Sequence, residues 1–155
     1  NYGYATNANY YSAIKRLVQA SSGTAGGTGP SLICPNDNNG GKLSKFTVSD
    51  AKYGNGNLDK KIGLLTADEL ALAGYASGFP NSTTYLQKNA DFYWWSLSPG
   101  NFAGSSACVW FVDGSNGYLS YNRVRRTYGL RPSISLKSTT NATGNGTSED
   151  PYVVE

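Results

Sequence analysis

The sequence contains no histidine and no methionine, and only 15% of its 155 residues are charged. Without histidine, the chain lacks the side chain that serves most often as a general base near neutral pH and as a metal ligand. No apolar run reaches the roughly 20 residues that a membrane-spanning helix needs. We therefore expect no catalytic site, no metal, no cofactor and no direct membrane insertion of this fragment.

The excess of positive charge is small, with a formal net charge of +3. One basic cluster stands out, formed by Arg123, Arg125 and Arg126. Strand alternation would place Arg123 and Arg125 on one face and Arg126 on the other. Nucleic-acid binding needs a broad basic footprint, and three arginines do not provide one. Nucleic acid is therefore not an expected partner.

Glycine and tyrosine are abundant, with 19 and 12 residues. This composition is typical of loop-rich, β-containing extracellular domains, and the length fits a single domain over 1–155. From this composition we expect an exported, extracellular or cell-surface protein. The chain starts at Asn1 rather than Met, so we expect a processed or trimmed fragment whose anchor or N-terminal helix is missing. Cys34 and Cys108 either form one disulfide or leave a free thiol at 108.

Two segments have helical patterns. Residues 7–20 place apolar side chains on one helical face, and the Gly/Ser/Thr-rich linker 21–31 follows. Thr66 and Glu69 form a capping box, and Gly74 ends that helix. The capping role accounts for Glu69, so we do not interpret Asp68 and Glu69 as an acid–base pair.

Strand patterns follow in the second half of the chain. We expect a buried aromatic strand over 91–99, a hairpin over 107–124 turning at Asp113–Gly117, and a strand over 129–137 entered through Pro132. A polar linker at 138–151 leads to a final strand. Trp110 and either Trp94 or Trp95 should lie in the core, the alternative being a stacking platform for sugars.

These patterns predict an α+β fold, with two helices packed on a small, twisted, mostly antiparallel sheet. The single domain would comprise an N-terminal helix and loops (1–57), a core with a binding hairpin (58–137), and a polar linker with a final strand (138–155).

The exposed positions of the hairpin carry Tyr, Ser, Asn, Asp and Arg, and no Lys, Glu, Gln or Met occurs from Ser96 to Leu136. Antibody paratopes use a similar set of residues, because Tyr and Arg give rigid contacts and Ser and Asn adaptable hydrogen bonds. The alternative is an ordinary solvated β-ribbon. The candidate ligand-binding residues are Asn101, Phe111, Asp113, Tyr118, Ser120, Tyr121, Asn122, Arg123, Arg125, Arg126 and Tyr128.

Several motifs resemble a bacterial surface-protein domain family with the C-type-lectin-like fold: "IGLLTADELALAG", "YWWSLSP", "GLRPSISL" and "GNGTSEDPYVV". Formylglycine-generating enzymes and the variable proteins of diversity-generating retroelements share that fold. The resemblance covers about residues 58–155. It implies that Arg131 anchors the sheet, and that Cys108 belongs to a hypervariable face as a chance product of variation.

The branches of this fold differ in activity. The cysteine motif of the formylglycine-generating enzymes and the sugar-binding triplets of calcium-dependent lectins are both missing. The resemblance therefore implies a non-catalytic adhesin or receptor tip, for example on a pilus, with a protein or glycan ligand on another cell or host surface. A pilin-like or surface-assembly subunit is the alternative, and a formylglycine-generating-enzyme-like oxidase is a more distant one.

Overall fold

The structure is a computed structural model. It describes residues 13, 17, 29–31, 33–34, 44–45, 62–81, 83–87, 91–134, 136, 139–147 and 149–155. Of the expected helix 7–20, only Ala13 and Leu17 belong to this set. Both are buried, and the Leu17 amide donates to the Ala13 carbonyl at 2.9 Å. The rest of that helix, most of the linker 21–31 and the region 46–61 lie outside the described residues.

Ten strands are described, and four of them form the central sheet. They are β1 (Ile33–Cys34), β2 (Ser44–Lys45), β3 (Gly63–Leu64), β4 (Trp94–Ala103), β5 (Ser106–Asp113), β6 (Tyr118–Arg123), β7 (Gly129–Leu130), β8 (Pro132–Ser133), β9 (Ala142–Thr143) and β10 (Val153–Val154). The central sheet has the order β6-β5-β4-β7, with β7 parallel to β4 and the other pairs antiparallel. Three two-stranded sheets, β1–β2, β3–β8 and β9–β10, accompany it.

The expectation of two helices packed on a mostly antiparallel sheet is wrong, and with it the C-type-lectin-like assignment. Within the described residues, helical structure with defined bounds is limited to α1 (Ala67–Leu72) and a 3-10 turn at Tyr85–Gln87. The central sheet is mixed, and the other three sheets are antiparallel pairs of two-residue strands. β4 shifts register on both sides of Pro99, where the missing N–H interrupts the ladder.

The C-terminal expectations need a second correction. The strand expected over 129–137 is split at Arg131, because β7 pairs with β4 whereas β8 pairs with β3. Pro132 begins β8, at the position where the chain changes sheets. The segment expected to be a polar linker forms a hairpin instead, with Val153 opposite Thr143 in the β9–β10 pair.

The capping box of α1 is confirmed. The Thr66 hydroxyl accepts from the Glu69 amide at 3.1 Å, and the Glu69 carboxylate accepts from the Thr66 amide at 2.7 Å. Gly74 follows the helix with a φ of 102°, a conformation that favours glycine. Local sequence chemistry therefore determines both ends of this helix.

The core lies between α1 and one side of the central sheet. Trp94 and Trp110 are 1% and 0% exposed and pack with Leu70, Val112 and Leu119, which confirms the expected core tryptophans. The Arg131 guanidinium lies 5.0 Å from the centre of the Trp94 ring and donates to the carbonyl of Leu86. The expected anchoring role of Arg131 is therefore confirmed.

The β5–β6 turn lies where the sequence predicted it, between Asp113 and Tyr118. The buried Gln87 amide donates to the Gly114 carbonyl and accepts from the Tyr75 hydroxyl at 3.1 Å. Asn81 holds the other end of the turn, with its backbone amide 3.4 Å from the Gly117 carbonyl oxygen. The hairpin tip is thus fixed to the body of the domain.

Replacing Gly117 by alanine should strongly destabilise the protein. Gly117 has a φ of 72°, and an added Cβ would overlap with the backbone of Asn81. Gly78 is a matched control, because its φ is 86° but an added Cβ would meet nothing within 4 Å. We expect Gly78→Ala to cost about 1–2 kcal/mol for backbone strain alone, and Gly117→Ala about 2 kcal/mol more. Equal urea-unfolding midpoints for the two variants would contradict this packing.

Alkaline pH should weaken the fold through Tyr75. Burial raises the pKa of its phenol above the ordinary value of 10.0, against smaller lowering effects of Thr84 and Arg131. The stability contributed by the neutral phenol is complete below the unfolded-state pKa and is lost as the pH rises through the raised folded-state pKa. Urea midpoints measured between about pH 8 and 11.5 should fall less steeply in Tyr75→Phe than in the wild type. The same dependence of the urea midpoint on pH in both proteins would contradict a role of Tyr75 in the alkaline loss of stability.

Candidate functional site

The side of the central sheet opposite the core is termed the outer face here. Trp110 and Val112 point into the core, so Phe111 between them points outward. Trp95 and Ser120 pair with Phe111 on either side, and directly paired residues project to the same side of a sheet. The outer face is therefore defined by Trp95, Phe111, Ser120 and the positions in phase with them.

Four aromatic rings pack together on the outer face, those of Tyr93, Trp95, Phe111 and Tyr128. The Tyr128 ring centre lies 4.4 Å from that of Trp95, 5.0 Å from that of Phe111 and 5.2 Å from that of Tyr93. Phe111 is covered by its neighbours and only 8% exposed, whereas Tyr93 is 44% exposed. These four residues are called the aromatic cluster below.

The chain crosses the outer face between β6 and β7. Both strands run parallel to β4, so the segment 124–128 must return to the end of the sheet where β6 began. Tyr128 contacts side chains of both β4 and β5, which places the end of this segment over the outer face. We call residues 124–128 the crossover segment; apart from the partly buried Tyr128, its residues are exposed.

Asn122 ties the crossover segment to β6. Its amide nitrogen donates to the Tyr128 hydroxyl at 2.8 Å, and its carbonyl oxygen accepts from the Arg123 backbone amide at 2.8 Å. Both polar ends of the side chain are therefore engaged. This pair of bonds holds the Tyr128 ring against Trp95 and Phe111.

The structure brings most of the predicted binding residues together. Strand phase or direct ring contact places six of them on the outer face: Phe111, Asp113, Tyr118, Ser120, Asn122 and Tyr128. Arg125 and Arg126 lie in the crossover segment instead of a strand, so the expected alternation of the arginines does not apply. The Asp113 carboxylate accepts from the Ser115 amide at 2.9 Å and the Ser115 hydroxyl at 2.6 Å, and thereby also stabilises the turn.

Three predicted residues do not share this face. Tyr121 points to the core side, where its ring centre lies 5.2 Å from that of Trp110 and its Cβ lies 2.7 Å from where a Gly100 Cβ would be. Arg123 is in phase with Tyr121 but exposed at the strand end. Asn101 lies near the far end of β4 with its side-chain oxygen buried. The expectation of one common face is therefore wrong for Tyr121, and replacing it should disturb the core.

Sequence reasoning missed two members of the aromatic cluster. Tyr93 and Trp95 were expected to lie in a buried strand because aromatic runs usually indicate a core. Strand alternation could have found them, since burying Trp94 turns both neighbours to the opposite side.

Cys108 is a free thiol, which decides between the two alternatives for this residue. It is 5% exposed and in phase with Trp110, so it lies on the core side. Its expected place on a variable face is therefore wrong. The side chain of Cys34 lies outside the described atoms.

The described residues contain no group of three or more His, Cys, Asp or Glu side chains arranged to hold a metal ion. Nor do they include a helix with the length and apolar character to span a membrane.

Comparison of the chain with protein-family models, with curated proteins and with solved structures finds no match. The motif resemblance to bacterial surface domains and to variable proteins of diversity-generating retroelements stays a prediction.

The bond between Asn122 and Tyr128 can be measured by a double-mutant cycle. Asn122→Ala, Tyr128→Phe and the double variant should give a coupling of about 1 kcal/mol in the free energy of unfolding, the usual net value of a hydrogen bond. Tyr118→Phe is the control, because no hydrogen bond of its hydroxyl is described; it should change stability by less than about 0.5 kcal/mol. A coupling near zero would contradict a stabilising hydrogen bond between Asn122 and Tyr128.

Proposed function

We propose that this domain is a non-catalytic binding module that recognises another protein outside the cell through its outer face. The observation that carries the proposal is the aromatic cluster, which is partly exposed on the side of the sheet that the core does not use. The hydroxyl groups of Tyr118 and Ser120 and the carboxylate of Asp113 lie on the same face.

The residue types of this face suit recognition by contact. Tyrosine and tryptophan contribute large, amphipathic contact areas with few rotatable bonds, and they are enriched at binding hot spots. Ser120 can donate or accept a hydrogen bond with little reorganisation. A rigid face also lowers the entropic cost of association, because its groups are ordered before the partner arrives.

Three fixed points support that rigidity. Asn122, toward the end of β6, binds the Tyr128 hydroxyl. Gln87 and Asn81 hold the hairpin turn at the other end. The face is therefore built on strands whose two ends are both tied to neighbouring segments.

Ring packing favours a protein partner over a glycan. Sugars bind aromatic side chains by stacking on an open, flat ring face. Here the Tyr128 ring lies over Trp95 with only 32° between the ring planes, and the Phe111 and Trp95 rings meet edge to face with an interplanar angle of 81°. Much of the flat ring surface is thus used within the cluster, leaving edges and hydroxyl groups for the partner.

Binding should depend on Tyr93, which we expect to contribute about 2 kcal/mol, or roughly 30-fold in affinity, as hot-spot residues do. Random peptides displayed on phage are selected on the immobilised wild-type domain, and their affinities are then measured on Tyr93→Ala. Tyr152→Ala serves as the matched control. Tyr152 is also an exposed tyrosine, with 67% of its surface accessible, but it directly precedes β10 and does not belong to the central sheet.

Affinity lost in Tyr93→Ala and kept in Tyr152→Ala supports the proposal, provided that far-ultraviolet circular dichroism shows both variants folded. Equal affinity for both variants contradicts it. A parallel glycan array tests the alternative ligand, and binding found only there would overturn the choice of a protein partner. Concentration-dependent self-association that Tyr93→Ala abolishes would instead indicate an assembly subunit.

A further inference from the structure

Three arginines are gathered in one turn at the edge of the outer face. The Arg126 amide donates to the Arg123 carbonyl at 3.0 Å, which closes the turn over residues 123–126. Arg123, Arg125 and Arg126 are all exposed. Within the part of the chain that the structure describes, none of them forms an ion pair. We call residues 123–126 the arginine turn.

The carboxylate of the same hairpin lies too far away to neutralise this charge. Asp113 is opposite Tyr118 at one end of the β5–β6 pair, and Arg123 is opposite Cys108 at the other. Five residues of strand separate these positions, or about 17 Å at 3.3–3.4 Å per residue. Physiological salt screens exposed charges beyond about 8 Å. Asp113 therefore does not neutralise the positive charge of the arginine turn.

Backbone bonds hold this positive charge beside the aromatic cluster. The Val124 amide donates to the Ala107 carbonyl at 3.0 Å, which attaches the turn to β5. The Asn122 side chain accepts from the Arg123 amide and donates to the Tyr128 hydroxyl. The turn is therefore connected to a member of the cluster through one side chain, so we expect a partner covering the cluster to reach Arg125 and Arg126 of the crossover segment.

Clustered guanidinium groups repel one another unless an anion lies between them. Carboxylates match the arginine fork with two parallel hydrogen bonds, which makes them fitting counter-ions. Three cations are too few for the broad footprint that nucleic acid needs. We propose that the protein partner presents a segment rich in aspartate and glutamate to the arginine turn while its apolar side chains cover the aromatic cluster. This inference rests on the proposed function and specifies the chemistry of the partner.

A random copolymer of glutamate and tyrosine is a suitable probe, because it combines carboxylates with aromatic rings. The wild-type domain should bind it at low salt and lose affinity as salt is added. Arg125→Gln/Arg126→Gln should lower the association rate about tenfold, since charges at the rim of an interface act mainly on encounter. A copolymer of lysine and tyrosine should bind at least about tenfold more weakly than the glutamate copolymer.

The control variant changes the net charge equally but elsewhere. Thr139→Glu/Asn141→Glu lowers the net charge by the same two units at exposed positions beside β9. Its association rate should stay within about twofold of the wild-type rate, because screening limits the reach of surface charge. Equal losses in the two double variants would show a general effect of net charge and would overturn the inference.

The remaining outcomes separate this inference from the proposed function. Copolymer binding that depends on Tyr93 but not on Arg125 and Arg126 would support binding through the outer face. It would overturn the inference that the partner presents an acidic segment to the arginine turn. Binding that depends on neither refutes both. Heparin carries sulfate groups on a sugar chain, so a domain that binds heparin and ignores the glutamate copolymer would overturn the choice of an acidic protein segment.

Discussion

The packing of Trp94 against the core side of the central sheet determines which residues the domain shows to the outside. Side chains alternate along a strand, so burying Trp94 and Trp110 turns Trp95 and Phe111 outward. A register slip of one residue would exchange the two sets completely. Arg131 reinforces the choice, because its guanidinium lies over Trp94 and is bonded to Leu86. The choice of residues that pack in the core thus also determines which residues form the outer face.

The direction of β7 is a second consequence of the same sheet. Because β7 runs parallel to β4 and β6 does too, their connection must travel back along the sheet. Parallel strands are usually joined by a dozen or more residues, often with a helix. Here only five residues intervene; Tyr128 lies over the outer face, and Arg125 and Arg126 are exposed in the same segment. The short crossover thereby adds positive charge beside a surface whose aromatic and polar side chains come mainly from β4, β5 and β6.

Local features could be predicted from the sequence, and long-range pairing could not. The capping box at Thr66 and the turn after Asp113 depend on residues within five positions of each other, and both are confirmed. The pairing of β3 with β8 joins residues about 70 positions apart through two-residue strands, which carry no readable period. The predicted fold class was wrong because such long-range pairings cannot be read from the sequence. In the site, residue type identified Tyr128 and Asn122, but it also selected Tyr121, whose strand phase turns it toward Trp110.

Strand phase also separates the residues that stabilise the core from those of the proposed binding face. Of the core-side positions, Cys108 is buried and Tyr121 lies against Trp110 and Gly100, so their substitution disturbs packing. Outer-face positions such as Tyr118 and Ser120 pair across the sheet through the backbone, and their side chains contribute little to the core. Backbone ladders tolerate many side chains. The outer face can therefore change its chemistry while the core that holds it remains the same.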